Sequence, residues 1–276
     1  LEMQEELMEE KDRCEITRIA VTNAYTSVQK ELSQAAHQVL SSLPGGLTLP
    51  QGVEADWRFK PAASLSGDHL DFFLVGDDRI AFYLLDVSGH GVPSALRSAA
   101  LCELLRPFTP IMGDLDTIGP HRILERVNKH IWDSNDEVEY LATLVLGILN
   151  MNTGTVRVSS AGHPSPLIVG PGGKHEETTD SGLPLGVMPD TGYETSSVQL
   201  EPGETLLMFS DGIPDCRDPD GNLLGIETLY EYIQSAPSTR PSELVGSIEA
   251  KLDEWQKDAP LEDDSTLLAI GLAPGI

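Results

Sequence analysis

Positive charge and cysteine are both scarce in this chain of 276 residues: 18 Lys and Arg stand against 44 Asp and Glu, and there are three cysteines. The formal charge of −26 argues against a broad nucleic-acid surface, because such surfaces neutralise phosphates with Lys and Arg. Its plain consequence is a well-solvated acidic exterior. Cys14, Cys102 and Cys216 are odd in number, far apart and without CxxC spacing, which fits a reducing compartment better than a disulfide framework. Long apolar runs are lacking too. Nothing approaches the ~20 residues of a membrane helix, and the first residues have neither the basic start nor the apolar centre of a signal peptide. The expectation is a soluble, cytoplasmic protein, with ample core available from the 40% of residues that are apolar.

Glycine and proline are absent from residues 2–43, which are rich in Glu, Gln, Leu and Ala. One long helix or two helices are expected there, stopped by Pro44-Gly45-Gly46. A seven-residue ladder runs Leu7, Cys14, Val21, Val28, Ala35, and a companion Tyr25, Leu32, Val39 joins it in the second half. This pattern fits a parallel homodimer stalk or signalling linker, and equally an amphipathic helix packed on its own domain. Residues 1–45 are therefore separated as a helical linker from a domain at 50–276. A chain opening inside such a helix reads as a fragment.

After Pro50 the apolar period changes from helix to strand. Val53, Ala55, Trp57 and Phe59 alternate with Glu54, Asp56, Arg58 and Lys60, as in a half-buried strand. Residues 70–75 and 80–87 flank a Gly76-Asp77-Asp78 turn and read as a hairpin. Helices follow at 94–106 and 120–131, with Pro93 suited to a first turn. Strands at 140–149 and 155–161 form a second hairpin, with 167–169 behind it. Strands at 198–200 and 205–209, around Glu201-Pro202-Gly203-Glu204, are expected to form a third. Helices at 226–234 and 241–255 precede a last strand at 265–272. Local hairpins with grouped helices indicate an α+β layered domain rather than a parallel doubly wound sheet.

Four acidic patches sit at the ends of these apolar runs: SGDHLD at 66–71, DVSGHG at 86–91, SDG at 210–212 and DDST at 263–266. An Asp at the end of a buried strand has to serve as a cap, a turn or a ligand. Four of them, each beside an apolar run, suggest carboxylates converging on hard cations, and oxygen-only sets suit Mg2+ or Mn2+ rather than zinc.

In order and spacing, SGD, DVSGHG, AGHPSP (161–166), LPLGV (183–187), FSDGIPD (209–215) and DDSTLL (263–268) resemble the metal-dependent protein phosphatases, in particular their bacterial SpoIIE/RsbU branch. The resemblance covers roughly residues 50–272 and implies an αββα sandwich of two antiparallel sheets flanked by helices. It also implies hydrolysis of phosphoserine or phosphothreonine on a protein by water activated between two Mn2+ or Mg2+ ions. Carried over by motif, Asp86 would bridge the metals, the backbone carbonyl of Val87 would assist one of them, and Asp68, Asp211 and Asp263 would complete the shells. Asp86 and Asp211 carry the catalytic weight in that reading. Asp264 shares or replaces the role of Asp263, and Gly212 permits tight packing beside Asp211. The resemblance further suggests a phosphorylated STAS-domain anti-anti-sigma factor as substrate, with the helical segment relaying a signal from a sensory or receiver domain missing from this chain.

Other polar residues carry less. Asp71 is a weaker ligand candidate, since capping a turn would also account for it, and Asp77, Asp78, Asp218 and Asp220 read as turn chemistry. His90 is out of register with the histidine of eukaryotic relatives, which falls at Ser88 here, and His163 reads as structural rather than substrate-facing. The phosphate-binding Arg of eukaryotic members is not apparent in PAASLSGD, which would leave leaving-group protonation to metal-bound water. Residues 180–194 read as a mobile element that positions substrate or responds to regulation, in preference to a plain connection whose Gly and Pro satisfy turns. Two alternatives remain at this level: a signalling scaffold with little turnover, and a hydrolase of small phosphomonoesters.

Overall fold

The computed structural model describes residues 43–44, 49–89, 91–105, 119–134 and 140–273. The expected N-terminal helix, its heptad ladder and His90 lie outside them.

Strand β3 (Arg79–Val87) shows how the layers arise, because it is apolar on both faces. Ile80, Phe82 and Leu84 join one core while Ala81, Tyr83 and Leu85 join another. A strand with two buried faces has to be an inner layer. Its sheet runs β2 (His69–Val75), β3, β4 (Ala142–Asn150), β5 (Thr155–Ala161), β8 (Ser181–Gly182), with β9 (Ser196–Gln199) also paired to β5. The pairings are antiparallel except the short one between β5 and β8. The second sheet runs β1 (Val53–Lys60), β11 (Ser265–Leu272), β10 (Thr205–Phe209), β6 (Leu167–Val169), β7 (His175–Glu177).

Between the sheets, Leu70, Phe72, Phe82 and Leu84 meet Leu206, Met208, Leu268 and Ile270. Helices α1 (Val92–Leu105) and α2 (Pro120–Ser134) cover the first sheet through Leu101, Leu124 and Ile131. Helices α3 (Ile226–Gln234) and α4 (Pro241–Gln256) cover the second through Leu229, Leu244 and Ile248. The expected αββα sandwich is the observed one. No helix among the described residues is long and apolar enough to cross a membrane.

Two expectations are corrected, and two short strands are new. The third hairpin does not exist: β9 pairs with β5, β10 lies between β6 and β11, and the turn at 201–204 carries the chain from one sheet to the other. The turn itself forms, Glu204 N donating to the Glu201 carbonyl at 2.9 Å, but Leu200, buried in the inter-sheet core, sends the two strands apart. Arg58 is not a solvent-facing strand residue. It is 6% exposed because α4 covers that face, and Glu249 and Asp253 of α4 meet its guanidinium at 3.1 and 3.0 Å. The short strands β7 and β8, polar in sequence, were not anticipated.

Candidate active site

The acidic motifs are gathered by sheet geometry. In one sheet β2 begins where its antiparallel neighbour β3 ends, with His69 opposite Leu85. In the other β10 ends where β11 begins, with Phe209 opposite Leu267. Asp68 directly precedes β2, Asp86 is the penultimate residue of β3, Asp211 follows β10, and Asp263 and Asp264 precede β11. The two strand pairs meet end to end: Thr266 Oγ1 donates to Asp68 Oδ2, and Gly67 N donates to Asp264 Oδ2 at 2.8 Å. A single acidic mouth thus opens between the two sheets.

Depth grades across it. Asp68 is 1% exposed, Asp86 is half-buried, and Asp211 and Asp263 stand at the exposed rim. Burial holds the Asp68 carboxyl well above the usual carboxylate range, helped by the charges of Asp86 and Asp264 and opposed by the Thr266 hydroxyl. Asp86 is pushed up to about 7, first by burial and then by Asp211, Asp263 and Asp264. Asp211 is raised by burial, Asp263 and Asp215. These side chains therefore lie within electrostatic reach of one another.

Asp264 differs from its neighbours. Its two oxygens accept from the backbone N–H groups of Ala62 and Gly67, both at 2.8 Å, so the carboxylate fastens residues 62–68 against the start of β11. Asp263 Oδ1 accepts from the N–H of Asp264 at 2.8 Å. Two glycines make the close approach feasible. A Cβ on Gly67 would lie 2.6 Å from the Val87 carbonyl oxygen, and one on Gly212 would collide with the Asp264 backbone oxygen. Ser210 completes the frame, its Oγ donating to the Asp264 carbonyl at 3.2 Å and accepting from Thr266 N at 3.0 Å.

The donor set fits divalent cations in its chemistry. It is all oxygen, it is charge-frustrated, and the Val87 carbonyl is kept clear of side-chain bulk by Gly67. Among the described residues no three His, Cys, Asp or Glu side chains form a ready-made cage. A hexacoordinate Mg2+ that keeps several waters needs only one or two carboxylates per ion.

The remaining candidates fall outside the mouth. Asp71 accepts from Phe72 N at 2.8 Å and takes the opposite face of β2 from Leu70 and Phe72. Asp218 is spent on a turn, accepting from the N–H groups of Asp220 and Asn222 at 3.0 and 2.8 Å. Residues 185–189 are fastened rather than loose: Asn128 of α2, fully buried, accepts from Gly186 N and donates to the Met188 carbonyl, both at 2.8 Å. His163 is buried, with Nδ1 2.7 Å from Thr143 Oγ1. Sequence reasoning gave no role to Thr266, Ser210, Asp215 or Gly67, although all four stand inside or beside the quoted motifs.

The family profile described as Stage II sporulation protein E (SpoIIE) matches residues 76–273. Among curated relatives, Protein IcfG of Synechocystis sp. is 27% identical over 261 residues, covering 87% of this chain and 41% of that protein. The phosphoserine phosphatase RsbU of Bacillus subtilis is 29% identical over 213 residues, covering 76% and 60%. The chain spans about half the length of the curated relatives it matches. Of solved structures, the SiaA-PP2C domain of Pseudomonas aeruginosa superposes with a TM-score of 0.78 at 21% identity, over 90% of this chain and 98% of that one. The PP2C phosphatase domain of SpoIIE from B. subtilis gives 0.67 at 21% identity, over 82% and 64%. With the profile spanning most of the chain and the two-sheet sandwich shared with these domains, the chain belongs to the SpoIIE family.

Proposed function

We propose that this domain is a metal-dependent protein-serine/threonine phosphatase whose metals, two Mg2+ or Mn2+ ions, are held by Asp68, Asp86, Asp211, Asp263 and the Val87 carbonyl. The observation that carries the reading is the gathering of Asp68, Asp86, Asp211 and Asp263 at one end of the sandwich, close enough for their charges to oppose one another's ionisation. Burying carboxylates together is costly unless something positive is meant to join them. Bound cations would neutralise the phosphoryl oxygens and make a water acidic enough to attack phosphorus.

The chain's own residues divide the remaining work. Asp86, central and half-buried, interacts with every other carboxylate of the set. Thr266 orients Asp68 through its hydroxyl. Asp264 is assigned to the frame, because both its oxygens already hold backbone N–H groups. Asp211 and Asp263 stand at the solvent-exposed rim, where a phosphorylated loop on a folded protein can reach them. That exposure favours a protein over a small phosphomonoester. A cavity of about 380 Å3 is lined by Glu54, Gly203, Arg240 and Gly271, at the far ends of β1, β10 and β11 from the carboxylates. A phosphoserine on a STAS-domain anti-anti-sigma factor is the substrate we assign, by analogy with relatives named phosphoserine phosphatases. An upstream sensory or receiver domain would regulate it, and the residues before Leu43 would form the dimerising linker.

The test is phosphate release from a phosphoserine STAS protein and from p-nitrophenyl phosphate, with Mn2+ and with EDTA. Wild type should turn over the phosphoprotein only with metal, and Asp211→Ala should lose roughly 10^3-fold in kcat/KM. Equal activity in wild type and variant would sink the ligand assignment. Binding of the phosphoprotein without turnover by wild type would favour a scaffold.

A further inference from the structure

His163 occupies the crossover that carries the chain from β5 in one sheet to β6 in the other, and it is 1% exposed. Its Nδ1 lies 2.7 Å from Thr143 Oγ1. Thr143 is the cross-strand partner of Asp86 in the β3–β4 register, so the two side chains stand side by side on the face turned toward the other sheet. The opposite ring nitrogen, Nε2, is buried and forms no hydrogen bond of ordinary geometry within the domain. The backbone of Phe209 lies close enough to that ring to affect its basicity. Phe209 is two residues before Asp211. One imidazole therefore faces the neighbour of Asp86 on one sheet and the strand that delivers Asp211 on the other.

We infer that His163 is a positioning residue that spans the two sheets directly behind the acidic mouth, through Thr143 and the Phe209 backbone, and so sets the separation of Asp86 from Asp211. The imidazole is suited to this because burial holds it neutral, its pKa lowered to about 3. With a neutral ring, Nδ1 can accept from the Thr143 hydroxyl while Nε2–H is presented to the Phe209 backbone. The ring also adds no positive charge that would compete with a cation for the carboxylates. A link of this kind does not touch substrate. It acts on cation affinity, as partners behind metal ligands do, typically by ~10- to 100-fold.

The inference rests on the ligand assignment proposed above, and its test separates the two. Mn2+ binding is measured by calorimetry on the whole chain and on His163→Leu, Thr143→Val, Thr143→Ser and the double variant His163→Leu/Thr143→Val, with melting temperatures taken in EDTA. His163→Leu should raise the Mn2+ Kd by about 10- to 100-fold, while KM for the phosphoprotein at saturating Mn2+ stays near wild type. Thr143→Val should raise the Kd less, and Thr143→Ser, which keeps the hydroxyl, should restore it. The double variant should bind no worse than His163→Leu, because both changes break the same link. Imidazole 15N shifts give a second readout: Nε2 should carry the proton, and a ring protonated at Nδ1 overturns the proposal. If His163→Leu does not fold, the two Thr143 variants decide the matter. Affinities for Thr143→Val and any folded His163→Leu within about twofold of wild type overturn the role of His163 and leave the ligand assignment standing. Failure of wild type to bind Mn2+ overturns the ligand assignment and the His163 role together.

Discussion

Asp86 gains nothing by ionising in the metal-free fold, and that has a measurable pH signature. Its carboxyl is pushed up to about 7 by burial and by Asp211, Asp263 and Asp264, against 3.8 for an unhindered Asp. The native state therefore binds more protons than the unfolded state between those values. Its contribution to stability is fully present below about pH 4 and is lost as pH rises through about 7. The difference corresponds to at most about 4 kcal/mol, shared among coupled neighbours. In EDTA the melting temperature should fall by roughly 4 °C or more between about pH 5 and pH 7.5. Asp86→Asn should flatten that fall and stabilise the metal-free protein at pH 7.5, and saturating Mn2+ should reverse it for wild type. A flat profile for metal-free wild type would contradict the repulsion on which the site reading rests. The carboxylates themselves were legible in the sequence, because an Asp ending a run such as AFYLLDV opposes strand propensity and needs a reason. Thr266, Ser210 and Gly67 were not. A Ser, Thr or Gly at a strand end has a sufficient local explanation in turns, and the links that matter are far apart in sequence: 198 residues for Thr266 to Asp68, 197 for Gly67 to Asp264 and 54 for Ser210 to Asp264.

Strands β3 and β4 put their register to use at Gly147, which lies opposite Phe82. A Cβ there would stand 2.7 Å from Phe82 Cε2 and 2.9 Å from the Arg157 carbonyl oxygen, so the missing side chain makes room for the ring in the inter-sheet core. Gly147→Ala should cost about 1–3 kcal/mol by overpacking. In a Phe82→Leu background the same change should cost less, because the displaced ring is gone; equal costs in both backgrounds, measured by urea unfolding, would count against this packing. Periodicity made elements of this kind legible. β3, β4, β11, α2 and α4 were all anticipated because each carries several apolar residues at one spacing. The division of strands between sheets was not legible. Whether β9 pairs with β10 across a good four-residue turn, or leaves for β5, depends on Leu200 and on partners far away in the chain. The strands β7 and β8 carry too few apolar residues to show any period.

At the scale of the molecule, the compact unit Leu43–Ile276 reaches back beyond the first strand. Leu43 is 5% exposed within the inter-sheet core, Leu49 packs against that core, and Trp57 Nε1 on β1 donates to the Pro44 carbonyl at 3.0 Å. Pro44-Gly45-Gly46, legible in the sequence as a helix stop, therefore begins within the folded unit. Burial of a Leu side chain contributes ~1.5–3 kcal/mol, and loss of the indole's acceptor adds about 1 kcal/mol. Two shortened chains distinguish the boundaries. One starting at Leu43 retains these contacts and should melt near the temperature of the same domain in the whole chain. One starting at Gln51 loses Leu43, Pro44 and Leu49, and should melt roughly 5–10 °C lower, taking ~2–4 °C per kcal/mol for a domain of this size. Because β1 is an edge strand paired to β11, whose start carries Asp263, Asp264 and Thr266, the shorter chain should also need more Mn2+ for half-maximal binding. Identical melting of the two shortened chains would place the boundary of the folded unit after Pro50 and remove Leu43 from the core that supports the site.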